Sequence, residues 1–253
     1  MITRVYIDGF NLYHGLIQGN RAHWLDLSSF AVRLNRGLPV DKVLYSTALV
    51  SGTPKDRSKP DRQDGCLRAL AIACPNVEVV LGIFTTHRKL YPLAKCSNDP
   101  TCGISVAVRT EKGSDVNLAT RLVHDAHLGK FTRAIVVSGD SNLVEPIRIV
   151  AGELGKTVWV RNPRDHSSKE LEAVATHYDR IRPAVAIGCQ LAEVVSDGVK
   201  IYSKPARWKL PPAHSAKREI NRWECAQADC KKCVTTLRYE PTPDHLDERA
   251  EQE

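Results

Sequence analysis

No stretch of this 253-residue chain is apolar for long enough to cross a membrane: its apolar runs, such as 134–137 and 184–187, fall far short of the roughly 20 residues a spanning helix needs. A membrane anchor is not expected. A strand-like run begins within four residues of Met1, which leaves no room for the basic and apolar segments of a secretory leader, so the expected compartment is the cytoplasm. The chain also lacks a glycine-rich phosphate loop and a G-x-S-x-G elbow, so neither nucleoside triphosphate hydrolysis nor serine-nucleophile chemistry has support. Internal repeats and coiled-coil heptads are missing as well. Eight cysteines are present, and without an export signal reduced thiols are the better expectation than a disulfide framework.

The hydrophobic content of 42% is ample for a core, and the length suits one large or two small domains. The net charge is +7, and its distribution is uneven: residues 1–183 carry 25 Lys+Arg against 18 Asp+Glu, whereas residues 184–253 carry 11 of each. A basic body around an acidic pocket suits an enzyme that draws in a polyanion and holds a cation.

Strand-like runs at 2–7, 43–50, 77–84, 104–110, 133–138 and 156–161 alternate with helical periodicity at 26–36, 62–73, 114–128 and 143–154. This alternation predicts an α/β fold with a mostly parallel sheet. In helix 114–128, Val116, Ala119, Leu122, Val123 and Ala126 fall on one face, with Ser114 as N-cap and Gly129 as the stop. Segment 52–62 has two prolines, four cations (Lys55, Arg57, Lys59 and Arg62) and no apolar residue. It reads either as a solvated connection or as a basic flap against a phosphate backbone. Beyond Pro183 the alternation fades, which gives a domain over 1–183 followed by an irregular extension over 184–253 whose tail, from about Glu240, frays.

Acidic residues follow three of the strand-like runs. Asp8 opens Asp8-Gly9-Phe10-Asn11-Leu12; Glu111 and Asp115 lie in Glu111-Lys112-Gly113-Ser114-Asp115-Val116-Asn117; Asp140 lies in Ser138-Gly139-Asp140-Ser141-Asn142, with Glu145 nearby. If the strands are parallel, their carboxyl ends share the edge where open α/β sheets place their sites. Carboxylates gathered there repel one another unless a cation or proton intervenes, and oxygen-only ligands suit Mg²⁺ or Mn²⁺. Each motif alone is also an ordinary strand-to-helix cap, since Asp115 in a first helical turn is favoured by the helix dipole. His14 and His124 read as ordinary surface or cap histidines.

These three motifs, in this order and spacing, resemble an NYN domain of the LabA-like group, within the PIN-like ribonuclease superfamily. The resemblance covers about residues 1–183, and the stretch Cys189–Trp208 is similar to the extension of some bacterial members. It implies a Rossmann-like three-layer sandwich whose acidic pocket binds divalent metal and hydrolyses RNA phosphodiesters. By motif position Asp8, Asp115 and Asp140 would be the metal-binding carboxylates, supported by Asn11 and Ser138. The family usually has a second aspartate where this chain has Asn142. Asn142 was never essential, or the protein is a weakened nuclease that mainly binds RNA, or the residue was replaced to silence the enzyme; Glu111 or Glu145 could supply the missing charge.

The reading from the sequence is therefore a Mg²⁺- or Mn²⁺-dependent ribonuclease, with Lys112 and the basic segment holding the RNA backbone. Its rivals are a silent RNA-binding protein on the same fold and a small-molecule phosphatase. A homo-oligomer is compatible with the sequence. Separately, Cys225, Cys230 and Cys233, with His214, His245 or Cys189 as a fourth ligand, have spacing compatible with a structural Zn²⁺ knuckle and with the start of an iron–sulfur pattern, while Cys96 and Cys102 form a looser pair.

Overall fold

The computed structural model describes residues 1–20, 22–54, 56–92 and 103–209. Lys55 and cysteines 96, 102, 225, 230 and 233 lie outside them, as do His214 and His245. Residues Met1–Lys204 form one compact unit, and a second begins at Pro205, described only by the short turn Ala206–Trp208.

The apolar run at the N-terminus becomes β1 (Thr3–Asp8), buried at every position except Arg4. A strand buried on both faces belongs in the middle of a parallel sheet. β1 lies between β2 (Lys42–Ala48) and β5 (Arg133–Val137), parallel to both. With β3 (Val77–Pro92), β4 (Gly103–Lys112), β6 (Thr157–Asn162) and β7 (His177–Arg180), the seven-stranded order is β4-β3-β2-β1-β5-β6-β7. The chain builds outward from β1 on one side, then returns to build outward on the other, so the switch point falls between β1 and β5.

One expectation needs correction: the strand predicted at 104–110 is not a parallel member. β4 runs antiparallel to β3, pairing Ile83 with Lys112 and Pro92 with Gly103. β3 is long enough to pair with β2 over Val77–Gly82 and then continue into a two-stranded ribbon with β4. Because β4 returns along that ribbon, Lys112 still arrives beside the carboxyl end of β2, where Ala48 pairs with Gly82. Asp115 reaches the carboxyl edge by this route.

The helices cover both faces. On one lie α4 (Ser114–His127), α5 (Val144–Arg148) and α6 (Lys169–Val174); Leu118, Leu122, Leu143, Ile147 and Leu171 join Tyr6, Val136, Val158 and Val160 in a continuous core. On the other are α1 (Gly9–Leu12), α2 (Leu27–Leu34), α3 (Lys59–Ala73) and α7 (Pro183–Ile187), followed by the hairpin of β8 (Val194–Ser196) and β9 (Ile201–Ser203). The hairpin packs against α3, within the Met1–Lys204 unit. No described helix is long and apolar enough to cross a membrane.

Within α4 the buried positions are Ser114, Leu118, Leu122, Asp125 and Ala126, whereas Val116, expected in the core, is 62% exposed. Ala119, Leu122, Val123 and Ala126 do face the core as expected, but Leu118 takes the place of Val116, and beside it is the inward-turned Asp125. Its Oδ2 accepts from the Tyr6 hydroxyl at 2.9 Å and Arg4 Nη1 at 3.1 Å, and its Oδ1 from Lys130 Nζ at 3.0 Å. Nor is Ser114 the N-cap: Gly113, at φ +95°, holds that place, and the Ser114 N–H donates to Glu111 Oε1 at 3.0 Å. Gly129, at φ +66°, ends the helix as expected.

Burial alone would lift the Asp125 carboxyl; hydrogen bonds from Lys130, Tyr6 and Arg4 outweigh it and hold it below the usual carboxylate range. That stabilisation is fully present above the ordinary value of 3.8 and is lost as pH falls through it to the lower folded-state value. Asp125→Asn is expected to cost about 2–3 kcal/mol and to flatten the acid limb of stability, as urea unfolding between neutral and acid pH will show.

Candidate functional site

Asp8 ends β1 and caps the helix that follows. Its Oδ1 accepts from the Asn11 backbone N–H at 3.0 Å, and its Oδ2 from Asn11 Nδ2 at 2.7 Å and Ser138 Oγ at 2.9 Å. Only 5% of Asp8 is exposed. Burial pushes its carboxyl above the ordinary carboxylate value, and the charge of Asp140 pushes the same way against the three donors. The two aspartates are thus electrostatic neighbours across the β1–β5 crevice. Ser138 joins them, donating to Asp8 while its Oγ accepts the Asp140 N–H at 3.0 Å.

Close backbone approach makes this geometry possible. Gly9 is the first residue of α1, and its role is steric: a Cβ there would stand 2.7 Å from Ser46 O on β2. At Gly139 a Cβ would meet Asn162 Oδ1 at 2.5 Å and Arg164 Cγ at 3.1 Å. Arg164 is the site residue that the sequence reading missed. It follows β6, its Nε donates to Asn11 Oδ1 at 3.1 Å, and its N–H donates to Asn162 Oδ1 at 2.8 Å. A guanidinium therefore stands beside the carboxylate pair. The available signal was Asn162-Pro163-Arg164-Asp165, a polar turn directly after an apolar strand.

Phe10, half-buried beside Asp8, meets Phe84 edge-on at 5.8 Å and His14 in a stack at 6.5 Å. These rings meet where β3 passes beyond β2 and leaves the sheet.

The remaining candidates are placed differently. The Asp115 Oδ1 accepts the N–H of Val116 at 2.8 Å, and Lys112 is exposed. Asp140 caps the turn after it by accepting the Asn142 N–H at 2.9 Å, leaving Asn142 exposed. Glu145 pairs with Arg148 at 2.7 Å. In the basic segment, helix α3 begins at Lys59, so the expected loop ends earlier; Pro60 in its first turn explains the start. Arg57 lies in the loop, but Arg62 is tied to Asp56 and to Ser58 Oγ. Among the described residues no three His, Cys, Asp or Glu side chains form a metal-holding group.

Compared with known proteins, residues 3–181 match the profile of the NYN domain. The chain belongs to the NYN domain family. The NYN domain thus takes in the whole seven-stranded sheet, and its fold is of the PIN-like kind. A relative, the 6-hydroxy-3-succinoylpyridine 3-monooxygenase HspA of Pseudomonas putida (strain DSM 28022 / S16), is 25% identical over 240 residues, covering 83% of this chain and 76% of the relative. The crystal structure of a protein of unknown function from Vibrio parahaemolyticus RIMD 2210633 is also similar, with a TM-score of 0.44 and 18% identity over 71% of this chain and 92% of that one.

NYN and other PIN-like nucleases commonly use divalent metals, and the donor chemistry here fits one. Asp8 and Asp140 offer hard oxygens, their mutual repulsion favours a cation between them, and Mg²⁺ is ordinarily held by one or two carboxylates while keeping several waters.

Asn162 is fully buried and its Nδ2 is fixed by Tyr178 Oη at 2.7 Å and His166 O at 2.9 Å, so it cannot swing away from a new methyl group at Gly139. Gly139→Ala is expected to cost about 1–3 kcal/mol, measured by denaturant unfolding, with Ser141→Ala on the exposed turn as the neutral comparison.

Proposed function

We propose that this protein is a metal-dependent ribonuclease acting at the crevice between β1 and β5. The observation that carries the reading is a buried Asp8 carboxylate electrostatically coupled to Asp140 at the switch point of an NYN sheet. The excess of cations over carboxylates in residues 1–183 supports a polyanionic substrate.

Asp8 and Asp140 would hold Mg²⁺ or Mn²⁺, which when bound supplies a lowered pKa for water and positive charge for the phosphoryl group. The protein's own side chains do the rest. Asn11 and Ser138 fix the Asp8 carboxylate so that both oxygens keep one orientation. Arg164, anchored to Asn11, presents a guanidinium to a non-bridging phosphate oxygen. Phe10 and Phe84 offer ring faces on which bases stack. Lys112, Arg57 and Lys59 would contribute backbone contacts, and Asp115 and Asn142 would border the crevice. The RNA is held by its phosphates and not by base identity.

A second reading, RNA binding without cleavage, draws on the exposed Asn142 amide and on Asp115 being turned to its own helix. The match to the monooxygenase reaches further along the chain than the NYN domain, so conversion of 6-hydroxy-3-succinoylpyridine is assayed beside RNA cleavage.

The deciding experiment is Mn²⁺-dependent cleavage of labelled single-stranded RNA. Wild type is expected to cut, Asp8→Asn and Asp140→Asn to lose about a hundredfold or more, and Asn142→Asp to gain if that position adds a ligand. Tight RNA binding with no cleavage in any form would select the silent protein.

Cation binding has its own readout. Mn²⁺ at about ten times its Kd adds about 1.4 kcal/mol of stability, a rise in Tm of about 3–6 °C for a domain of this size. Asp8→Asn should abolish that rise; an equal rise in the variant would place the ion elsewhere.

A further inference from the structure

A second charged cavity lies on the α2 and α7 side of the sheet, away from the acidic crevice. Its volume is about 260 Å³, and five arginines line it: Arg33 and Arg36 at the end of α2, Arg161 on β6, and Arg180 and Arg182 leading into α7. Leu34, Ile181 and Val185 complete the wall. Val158 and Val160 belong to the core beneath α4 and α5, so strand alternation places Trp159 and Arg161 on the opposite face, under this cavity.

The concentration of positive charge is built into the fold. Arg133, Arg36 and Arg161 all approach the Trp159 ring, with guanidinium carbons 3.9, 4.9 and 5.0 Å from its centroid. The indole face holds cations together that would otherwise repel. Only 7% of Arg161 is exposed; it pairs with Asp179 and donates to Leu34 O, yet its buried Nε has no hydrogen-bond partner among the described residues. Asp179 is shared with His177, and Arg180 pairs with Asp165. Among the described residues no carboxylate pairs with Arg33, Arg36 or Arg182, so the cavity keeps a large uncompensated charge.

The cavity also connects to the crevice. Arg180 Nε donates to the carbonyl of Arg164 at 3.2 Å, and Arg164 Nε donates to Asn11, which holds Asp8. Guanidinium groups thus follow one another from the cavity toward the carboxylates. Such a line suits a chain of phosphates better than a single small anion.

We propose that this arginine cavity is a docking site for phosphate groups of the RNA strand whose backbone is cut, in the reading above, at Asp8 and Asp140. The inference rests on that reading for the identity of the polymer. Its own content is a second contact point that anchors the strand away from the cleavage site, through guanidinium–phosphate pairs.

The test uses the full chain in EDTA, with anisotropy of a labelled single-stranded RNA across a salt series. Arg33→Gln/Arg182→Gln removes two exposed cavity cations and leaves the pair of buried Arg161 with Asp179 intact. The comparison protein, Arg68→Gln/Arg148→Gln, removes two arginines already paired with surface carboxylates. The cavity variant is expected to bind about tenfold more weakly at moderate salt, with a slope of log affinity against log salt shallower by about 1, while the comparison protein matches wild type. Inorganic pyrophosphate, added as competitor, should displace RNA from wild type at lower concentration than from the cavity variant. Unchanged affinity and slope in the cavity variant, with wild type binding RNA well, would overturn the docking site and leave the nuclease reading standing. Thermal stabilisation by pyrophosphate that the cavity variant loses, together with unchanged RNA binding, would overturn it in favour of a small-anion pocket. Failure of wild type to bind RNA would remove both readings together.

Discussion

A carboxylate buried at the end of a central strand is expensive, because desolvation opposes its charge and a second carboxylate across the crevice adds repulsion. Asp8 is in that position, and much of the surrounding structure follows from keeping it there. Asn11 and Ser138 are bound to it directly. Gly9 and Gly139 lack side chains because β2 and the Asn162 amide come too close for a methyl group. Arg164, bound to Asn11, adds a compensating guanidinium. Neutral donors and a cation one residue removed offset only part of the cost of burial, and the donors hold both carboxylate oxygens in one orientation.

The sheet separates the polar groups by face and by edge. Beneath α4, Asp125 gathers Tyr6, Arg4 and Lys130 into a closed set at the amino end, where each charge has a partner. At the carboxyl edge Asp8 and Asp140 remain undercompensated. Under α2 and α7 the imbalance has the opposite sign, with guanidinium groups around one indole. Matched charge accompanies packing, and mismatched charge marks where an external ion or polymer would complete the arrangement.

How far this could be read in advance depended on whether the cause was local. β1, β2, β5 and β6 are near-continuous apolar runs because parallel strands are buried on both faces, and such runs are visible in one dimension. Gly129 was legible as a stop for a similar reason. The direction of β4 was not, since residue type does not reveal whether a strand advances or returns. Leu118 and Val116 fit helical periodicity equally well, and the choice was made by Asp125 reaching Tyr6, which is 119 residues away. Arg164 and Asn11 are separated by 153 positions, and the cavity arginines come from three separate segments. The carboxylate motifs could be placed at one edge from the sequence; which of them face one another depends on turns only the fold supplies.

The ribbon of β3 and β4 has a different consequence. As the last strand in the order, β4 presents a row of backbone N–H and C=O groups with no strand beyond it among the described residues, and Ile83, Leu90, Ile104 and Val106 are all at least 41% exposed. A bare apolar edge of this kind invites a neighbouring molecule to add a strand and start a stack. His87, Arg88 and Lys89 interrupt it, placing polar and positive groups midway along the ribbon, where a second copy would bring the same charges opposite them. The cations on this arm would set like charges against one another in such a stack, which opposes the polymerisation of a long exposed strand pair.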